Sequence, residues 1–298
     1  MRFISALCRL PRSMALTLCA ILLFAAEAPS PPAASAQPAQ ASPLILAVHP
    51  YLPPFEIKNR FQPLAEYLSE RLQHKVVVKV SSDYPEHITA VGMDLADIAF
   101  LGPAPYVHMV QKYGLKPLLA RLENNGSPTL VGNIVVRKES PLKSLNELKG
   151  HRFAFVSRES TLGFLIPQQM LGKEKVSLED LASYDFLNSH QNVALAVNMG
   201  DFDAGAVQHD VYLAKQDHLR SIAQSPPISE HLFVASTKLS PAMVEKARAA
   251  LLAIGKDKHG SEILHSIKGE ITNLAPVRDE DYDHLRSILG MPQTKLPQ

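Results

Sequence analysis

The chain has 298 residues, of which 46% are hydrophobic and 20% charged, with a formal net charge of +1, two cysteines and no tryptophan. A nearly neutral chain without charge runs carries no footprint for nucleic acid or for an anionic membrane surface. Cys8 and Cys19 both lie in the first 36 residues, so loss of that segment excludes disulfides, thiolate catalysis and cysteine-ligated metals, and brings the charge to −1.

Residues 1–36 read as a targeting segment, with Arg2, Arg9 and Arg12 ahead of MALTLCAILLFAA and the small residues Ala34, Ser35 and Ala36 at a cleavage site before Gln37. The apolar core falls short of the roughly 20 residues of a membrane span, so export is expected, not anchoring. Leu18 stands where a lipid-modified Cys19 would need a small residue. Residues 37–43 form a polar tether.

LILAV (44–48) predicts a buried strand, and FQPLAEYLSERL a helix with Phe61, Leu64, Ala65, Leu68 and Leu72 on one stripe. KVVVKV (75–80) is a strand, YPEHITAVGM a short helix, DIAFLG (97–102) a strand, and PAPYVHMVQKYG a helix closed by Gly114. Such alternation predicts a mostly parallel sheet with crossover helices. After VGNIVVRKESP (131–141) the pattern restarts. Ser144 with Glu147 predicts a capping box, RFAFV (152–156) a strand, and Ser177 with Asp180 a second capping box. YDFLN, HQNVALAVNMG, FDAGAV and DVYLAKQDHL read as strand, helix, strand, helix. HLFVAS (231–236) is a strand, Ser240 and Pro241 start the helix of MVEKARAALLAIG, and RDEDYDHLRSILG is the last helix.

These are two α/β units crossed twice by the chain. Residues 44–133 with 234–298 are expected to form one lobe and 134–233 the other, with a ligand cleft at the carboxyl ends of the strands. RESTLGFLIP (158–167) stands where a strand becomes a helix, pointing into that cleft. The hydroxyls of Ser160 and Thr161, the unpaired amides around Thr161, Leu162 and Gly163, and the helix dipole make a cradle for a tetrahedral oxyanion. Gly163 would let a bulky anion approach the backbone. A plain helix cap at Ser160 uses the same atoms, and spacing alone leaves both readings open.

Three stretches, DIAFLGPAPYV, VVRKESPLKSLNELKGHRFAFVSRESTLGFLIP and SHQNVALAVNMGDFDAGAV, together resemble the phosphonate/phosphite/phosphate substrate-binding proteins of ABC transporters, in the family's order and spacing. The resemblance implies the type 2 periplasmic binding protein fold, a bilobed α/β architecture whose two α/β lobes close on a ligand. It implies a periplasmic location, a phosphorus oxyanion as ligand, and the membrane permease of an importer as partner, with no cofactor and no enzymatic activity. It further implies that Ser160 and Thr161 hold the anion's oxygens at the helix start, that His190 donates to them, and that Tyr84 reaches them from the first lobe.

Departures bear on the ligand. Relatives binding aminoalkyl phosphonates carry a tyrosine where this chain has Leu101. Tyr106 matches a tyrosine of another branch, with packing as its other reading. Asp210 and His231 fall where acidic residues would recognise an amino group, and a single carboxylate beside a histidine makes a poor ammonium cage. A smaller or differently substituted anion is therefore expected. The apolar Leu101, Pro103, Pro105, Leu162 and Phe164 leave a lipid-like solute as the alternative, and a membrane sensor is the alternative partner. Ser160, His190 and Asp210 can be written as a catalytic triad, but the chain lacks the G-x-S-x-G elbow there. The histidines are scattered, with His209 and Asp210 a compact pair that falls short of three or four converging ligands, so no metal site is expected.

Overall fold

The computed structural model describes residues 42–256 and 258–293. The targeting segment and the cleavage site before Gln37 lie outside them. In chain order the first elements are β1 (Leu44–Val48), α1 (Pro54–Leu72), β2 (Val76–Val80), α2 (Tyr84–Gly92), β3 (Ile98–Leu101), α3 (Pro103–Tyr113) and β4 (Leu118–Asn124). A short β5 (Thr129–Leu130) leads into β6 (Gly132–Arg137), β7 (Arg152–Phe155), a π turn at Thr161–Leu165, α4 (Ile166–Lys173), β8 (Ser183–Phe186), α5 (His190–Met199), β9 (Ala204–Gln208), α6 (His209–Leu213) and β10 (Leu219–Gln224). The chain returns through β11 (Ile228–Ser229) to β12 (Leu232–Ala235), α7 (Pro241–Ala253), α8 (Lys258–Ile267), β13 (Ile271–Ala275) and α9 (Asp283–Ile288).

Among the described residues one sheet has the order β13-β4-β12-β3-β1-β2 and another β10-β6-β9-β7-β8. Each is parallel only in part, as in β2-β1-β3 and β8-β7-β9. The strands that carry the chain between lobes, together with β13, add antiparallel pairs. That corrects the expectation of mostly parallel sheets, because a lobe crossed by the chain twice gains strands that run against its βαβ units. The crossing segments pair with each other, Leu130 opposite Ile228 and Thr129 opposite Ser229.

Helix α1 starts earlier than the periodicity predicts, because Pro54 at its first position is already set in helical φ, and it tolerates Pro63 inside. Its predicted stripe is buried against the first sheet: Phe61, Leu64, Ala65 and Leu68 are fully covered. The capping box expected at Ser144 is not formed; Glu147 instead accepts from the Lys143 amide at 2.7 Å and a short 3₁₀ turn follows. At Ser177 the box does form, with Asp180 accepting from the Ser177 amide at 2.8 Å, but it opens only a 3₁₀ turn. Similarly, DVYLAKQDHL is helical only over α6, and its end feeds β10.

The C-terminal segment braces the crossing. Arg286, 1% exposed, donates to the carboxylates of Asp279 at 2.5 Å and Asp283 at 2.8 Å. Asp279 also accepts from the Tyr106 hydroxyl at 2.6 Å, and the Tyr282 hydroxyl donates to the Glu230 carbonyl at 2.7 Å. A buried guanidinium is tolerable because its charge and its fork of donors are met on both sides. No described helix is long and apolar enough to cross a membrane.

Candidate functional site

The carboxyl ends of β1, β3, β7 and β9 and the start of β12 converge on a cleft enclosing about 930 Å³ of empty space, its mouth included. Of the residues expected from sequence, Tyr84, Ser160, Thr161, Leu162, His190, Asp210 and His231 line it. Leu101, Tyr106 and Gly163 are not part of the lining.

The stretch after β7 is built around Ser160. Its amide donates to the Ser157 carbonyl at 3.1 Å, and its carbonyl accepts from both the Phe164 and the Leu165 amides, at 3.1 and 3.0 Å. The bond from Leu165 widens the first turn to π geometry. Ser160 Oγ accepts from the Gly163 amide at 3.1 Å, so the residue is a cap, yet its hydroxyl hydrogen stays free to donate. The cap and cradle readings are thus compatible in the same atoms. Gly163 serves packing and not ligand approach, since a Cβ there would meet Val156 Cβ at 2.4 Å.

Thr161 Oγ1 accepts from the Ala104 amide at 2.9 Å, tying the start of this turn to the first turn of α3 in the other lobe. Its hydrogen also remains available. Leu162 packs into the apolar cluster of α3 with Ala104 and Tyr106. The amides of Thr161 and Leu162 open the helix and have no intrahelical acceptor.

His190 begins α5 behind its cap Ser189, and its Nδ1 accepts from the Gln208 amide at 3.2 Å. The proton of a neutral ring then sits on Nε2. Burial pushes His190 down to about 4; Lys268 and His231 act in the same direction, against Asp210 and the Ala206 carbonyl. Near pH 7 it is a neutral donor. Tyr84 begins α2 after Asp83, whose carboxylate accepts from the Glu86 amide at 2.7 Å. Burial, then the charge of Glu159, raises the Tyr84 phenol, which stays protonated.

Asp210 pairs with Lys268 across the cleft at 3.2 Å, and Lys268 also lies 3.6 Å from Glu270. His231 Nδ1 donates to Glu230 at 2.8 Å. Burial alone would raise the Glu230 carboxyl, but its bond to His231 and the charges of His231 and Lys268 hold it below the ordinary range. Arg60 is engaged by Glu56 at 2.5 Å and by the Ile267 carbonyl at 3.2 Å. The cations that line the cleft are therefore already paired, and hydroxyls, amides and imidazole are what it offers an anion. Leu52, Phe100, Pro103, Pro105, Leu130 and Ile267 supply an apolar wall.

The remaining expected residues sit elsewhere. Leu101 is fully buried in β3 opposite Leu232. Tyr106, also fully buried, spends its hydroxyl on Asp279. Helix α3 is buried all through its first turn and a half, so its tyrosine turns into the core and away from the cleft. Sequence reading passed over His49, Glu159, Glu230 and Lys268, which also line the cleft. A histidine ending the first strand carried a weak signal; a lysine after α8 carried none. Ser160, His190 and Asp210 form no relay, because His190 Nδ1 faces the Gln208 amide and Asp210 faces Lys268. Among the described residues no three His, Cys, Asp or Glu side chains converge to hold a metal ion.

The phosphate-import protein PhnD of Mycolicibacterium smegmatis is 28% identical over 258 residues, spanning 78% of this chain and 80% of that one. The probable ABC transporter phosphite binding protein PhnD1 of Prochlorococcus marinus is 26% identical over 173 residues, 52% of this chain and 54% of that one. The structure of Prochlorococcus marinus PhnD1 in complex with methylphosphonate has the same fold, with a TM-score of 0.74 and 22% identity over 82% of this chain and 96% of that one. The family model described as "ABC transporter, phosphonate, periplasmic substrate-binding protein" matches residues 46–282, and the chain belongs to that family.

Proposed function

We propose that this protein captures a small phosphorus oxyanion, a phosphonate, phosphite or phosphate, in its cleft and delivers it to the membrane permease of an ABC importer, binding without chemical turnover. The observation that carries the reading is the set of neutral polar groups in one cleft, Ser160 and Thr161 at a helix start and His190 in the same lining. Tyr84 adds a donor from the opposite lobe. Neutral donors in a desolvated cleft make charge-assisted hydrogen bonds that recognise oxygen geometry more than charge alone. Residues 44–133 with those from 234 on are read as one lobe and 134–233 as the other, with the β5–β11 pair at the crossing.

The ligand has no amino group at the Asp210 position. Asp210 is committed to Lys268, and His231 is held by Glu230, so an ammonium group would have to displace a half-buried lysine from its carboxylate. The apolar wall of Leu52, Phe100, Pro103 and Pro105 suits a hydrogen or a short alkyl substituent on phosphorus. Export to the periplasm follows from the family and from the targeting segment expected before Gln37.

A thermal-shift panel of phosphate, phosphite, methylphosphonate, 2-aminoethylphosphonate, sulfate and a fatty acid, with calorimetry on each hit, tests the reading. A shift with one or more of the first three supports it. A shift with the fatty acid alone would replace it with an apolar solute, and tighter binding of the aminoethyl compound than of methylphosphonate would refute the argument from Asp210.

A further inference from the structure

Beside the carboxylates of Glu159, Asp210 and Glu230, the cleft lining holds one neutral ring that presents an acceptor. His49 follows β1, is 1% exposed and lines the cleft. Its Nδ1 lies 3.2 Å from the carbonyl oxygen of Phe100, and the Nε2 of His87 lies 3.1 Å from the same oxygen. A carbonyl oxygen only accepts, so both of these ring nitrogens carry hydrogen. The other nitrogen of His87 is 3.0 Å from the Ser81 hydroxyl, which donates to it. The His49 ring is stacked nearly flat against Phe100 at 5.5 Å and against His231 at 5.5 Å, which fixes its plane. Burial, with the imidazoles of His231 and His87 beside it, keeps His49 well below the usual histidine range, so the ring is neutral. Its Nε2 is then a bare lone pair with no donor among the described residues.

We propose that His49 Nε2 accepts a hydrogen bond from an O–H of the ligand itself, so that the cleft selects oxyanions that still carry a proton. Phosphorus oxyanions give up their second proton close to neutral pH, whereas sulfate and sulfonates have none to offer. A sulfonate oxygen at this position sets lone pair against lone pair, and Lys268, committed to Asp210 at 3.2 Å, is not free to compensate. The inference deepens the phosphorus-oxyanion reading and rests on it: His49 becomes the residue that separates phosphorus from sulfur.

Several titratable groups face His49: Tyr51 from its own loop, Tyr84 and His87 from α2, and His231 from the start of β12, with Glu230 behind it. His190 shares the cleft from the other lobe. Methanesulfonate has nearly the shape of methylphosphonate and no ionisable proton. Its pH profile records the protein's groups alone, and the ratio of the two affinities isolates the ligand's proton.

Calorimetry with both anions, between about pH 5.5 and 8.5, on the wild-type protein and on His49→Phe, which keeps the flat stack, is the test. Wild type is expected to prefer methylphosphonate by about 100-fold or more at the acid end, since an acceptor left facing an oxyanion is strongly rejecting. That preference should fall by up to about tenfold per pH unit beyond the ligand's second ionisation. In His49→Phe the preference should shrink at least about tenfold and lose its pH dependence. Equal wild-type affinities, or an unchanged ratio in His49→Phe, would overturn the proposal while leaving the phosphorus reading intact. If the variant does not fold, a wild-type ratio that stays level or rises with pH overturns it alone. Failure of wild type to bind methylphosphonate, phosphite and phosphate alike removes both readings together.

Discussion

Replacing Thr161 with valine deletes one oxygen and leaves the shape of the side chain, and that oxygen has two partners to lose. In the proposed complex its hydrogen is donated to the anion, a hydrogen bond to a charged group worth about 1.5 to 3 kcal/mol. Its lone pair accepts from the Ala104 amide at 2.9 Å, and Ala104 is fully buried. An orphaned buried amide costs about 1 to 3 kcal/mol, but only with the lobes together, because water serves the amide once they part. The two losses share one atom and do not add in full, so a net weakening of about 2 to 4 kcal/mol is expected, or about 30-fold to several hundred-fold in Kd. Calorimetry with methylphosphonate measures it, and a melt without ligand separates binding from folding. A Kd within about threefold of wild type, or a ligand-free destabilisation as large as the loss of affinity, would refute the reasoning.

Tyr106→Phe should cost about 1.5 to 3 kcal/mol of stability by removing the donor to Asp279, with ligand affinity unchanged; weakened binding at unchanged stability would return Tyr106 to the cleft. Asp210→Asn leaves Lys268 without its partner across the cleft and should tighten every anion several-fold, with a steeper dependence on salt; calorimetry at two ionic strengths that finds weaker binding would mean the pair chiefly holds the lobes. Glu159→Gln removes a carboxylate that bears on Tyr84 and should also tighten anions, by a factor of about two to ten if its effect is that of a partly screened charge, read in the same titrations. His87 is pushed from 6.5 down to about 4 chiefly by burial. Because the folded state holds the ring neutral, its contribution is whole above pH 6.5 and is lost as pH falls toward 4, a drop of about 3 kcal/mol. Urea unfolding at pH 7 and 4.5 should show it, and His87→Gln should lose part of the slope; an identical slope would refute the assignment.

Much of this was legible because it is local. The α1 stripe follows from helical spacing and the hydrophobic effect, and all five of its predicted positions are buried. Ser160 and Thr161 could be placed because a strand, a hydroxyl pair and an apolar periodic run occur within one short stretch. What escaped was set by distance or by disguise. Helix α8 hides behind Gly255 and Gly260, which punctuate the text like a loop; Gly260 is needed because a Cβ would meet the Ile254 carbonyl at 1.6 Å. Strands β4, β10 and β13 lack clean alternation, and gain their place from partners far along the chain. Lys268 and Asp210 are brought together by topology alone. For Tyr106 the motif pointed to a ligand, while the rotational phase of α3 turned the side chain inward.

Two polar links join the lobes beside the proposed anion: Ala104 to Thr161, and Lys268 to Asp210. Both are good acceptor–donor pairs that water can replace, so neither favours the closed arrangement by much on its own. A ligand shifts such an equilibrium only by its difference in affinity for the two arrangements. In the proposed complex that difference is large, because Tyr84 and His49 line the cleft from one lobe and Ser160, Thr161 and His190 from the other, so that the anion would complete its hydrogen bonds only when the lobes meet. The same geometry gives a route to release. Parting the lobes returns every donor to water at little cost, with no buried unpaired cation left behind to hold the anion. A cleft built on a free lysine would bind anions more tightly and give them up more slowly, which is the opposite of what delivery to a permease requires.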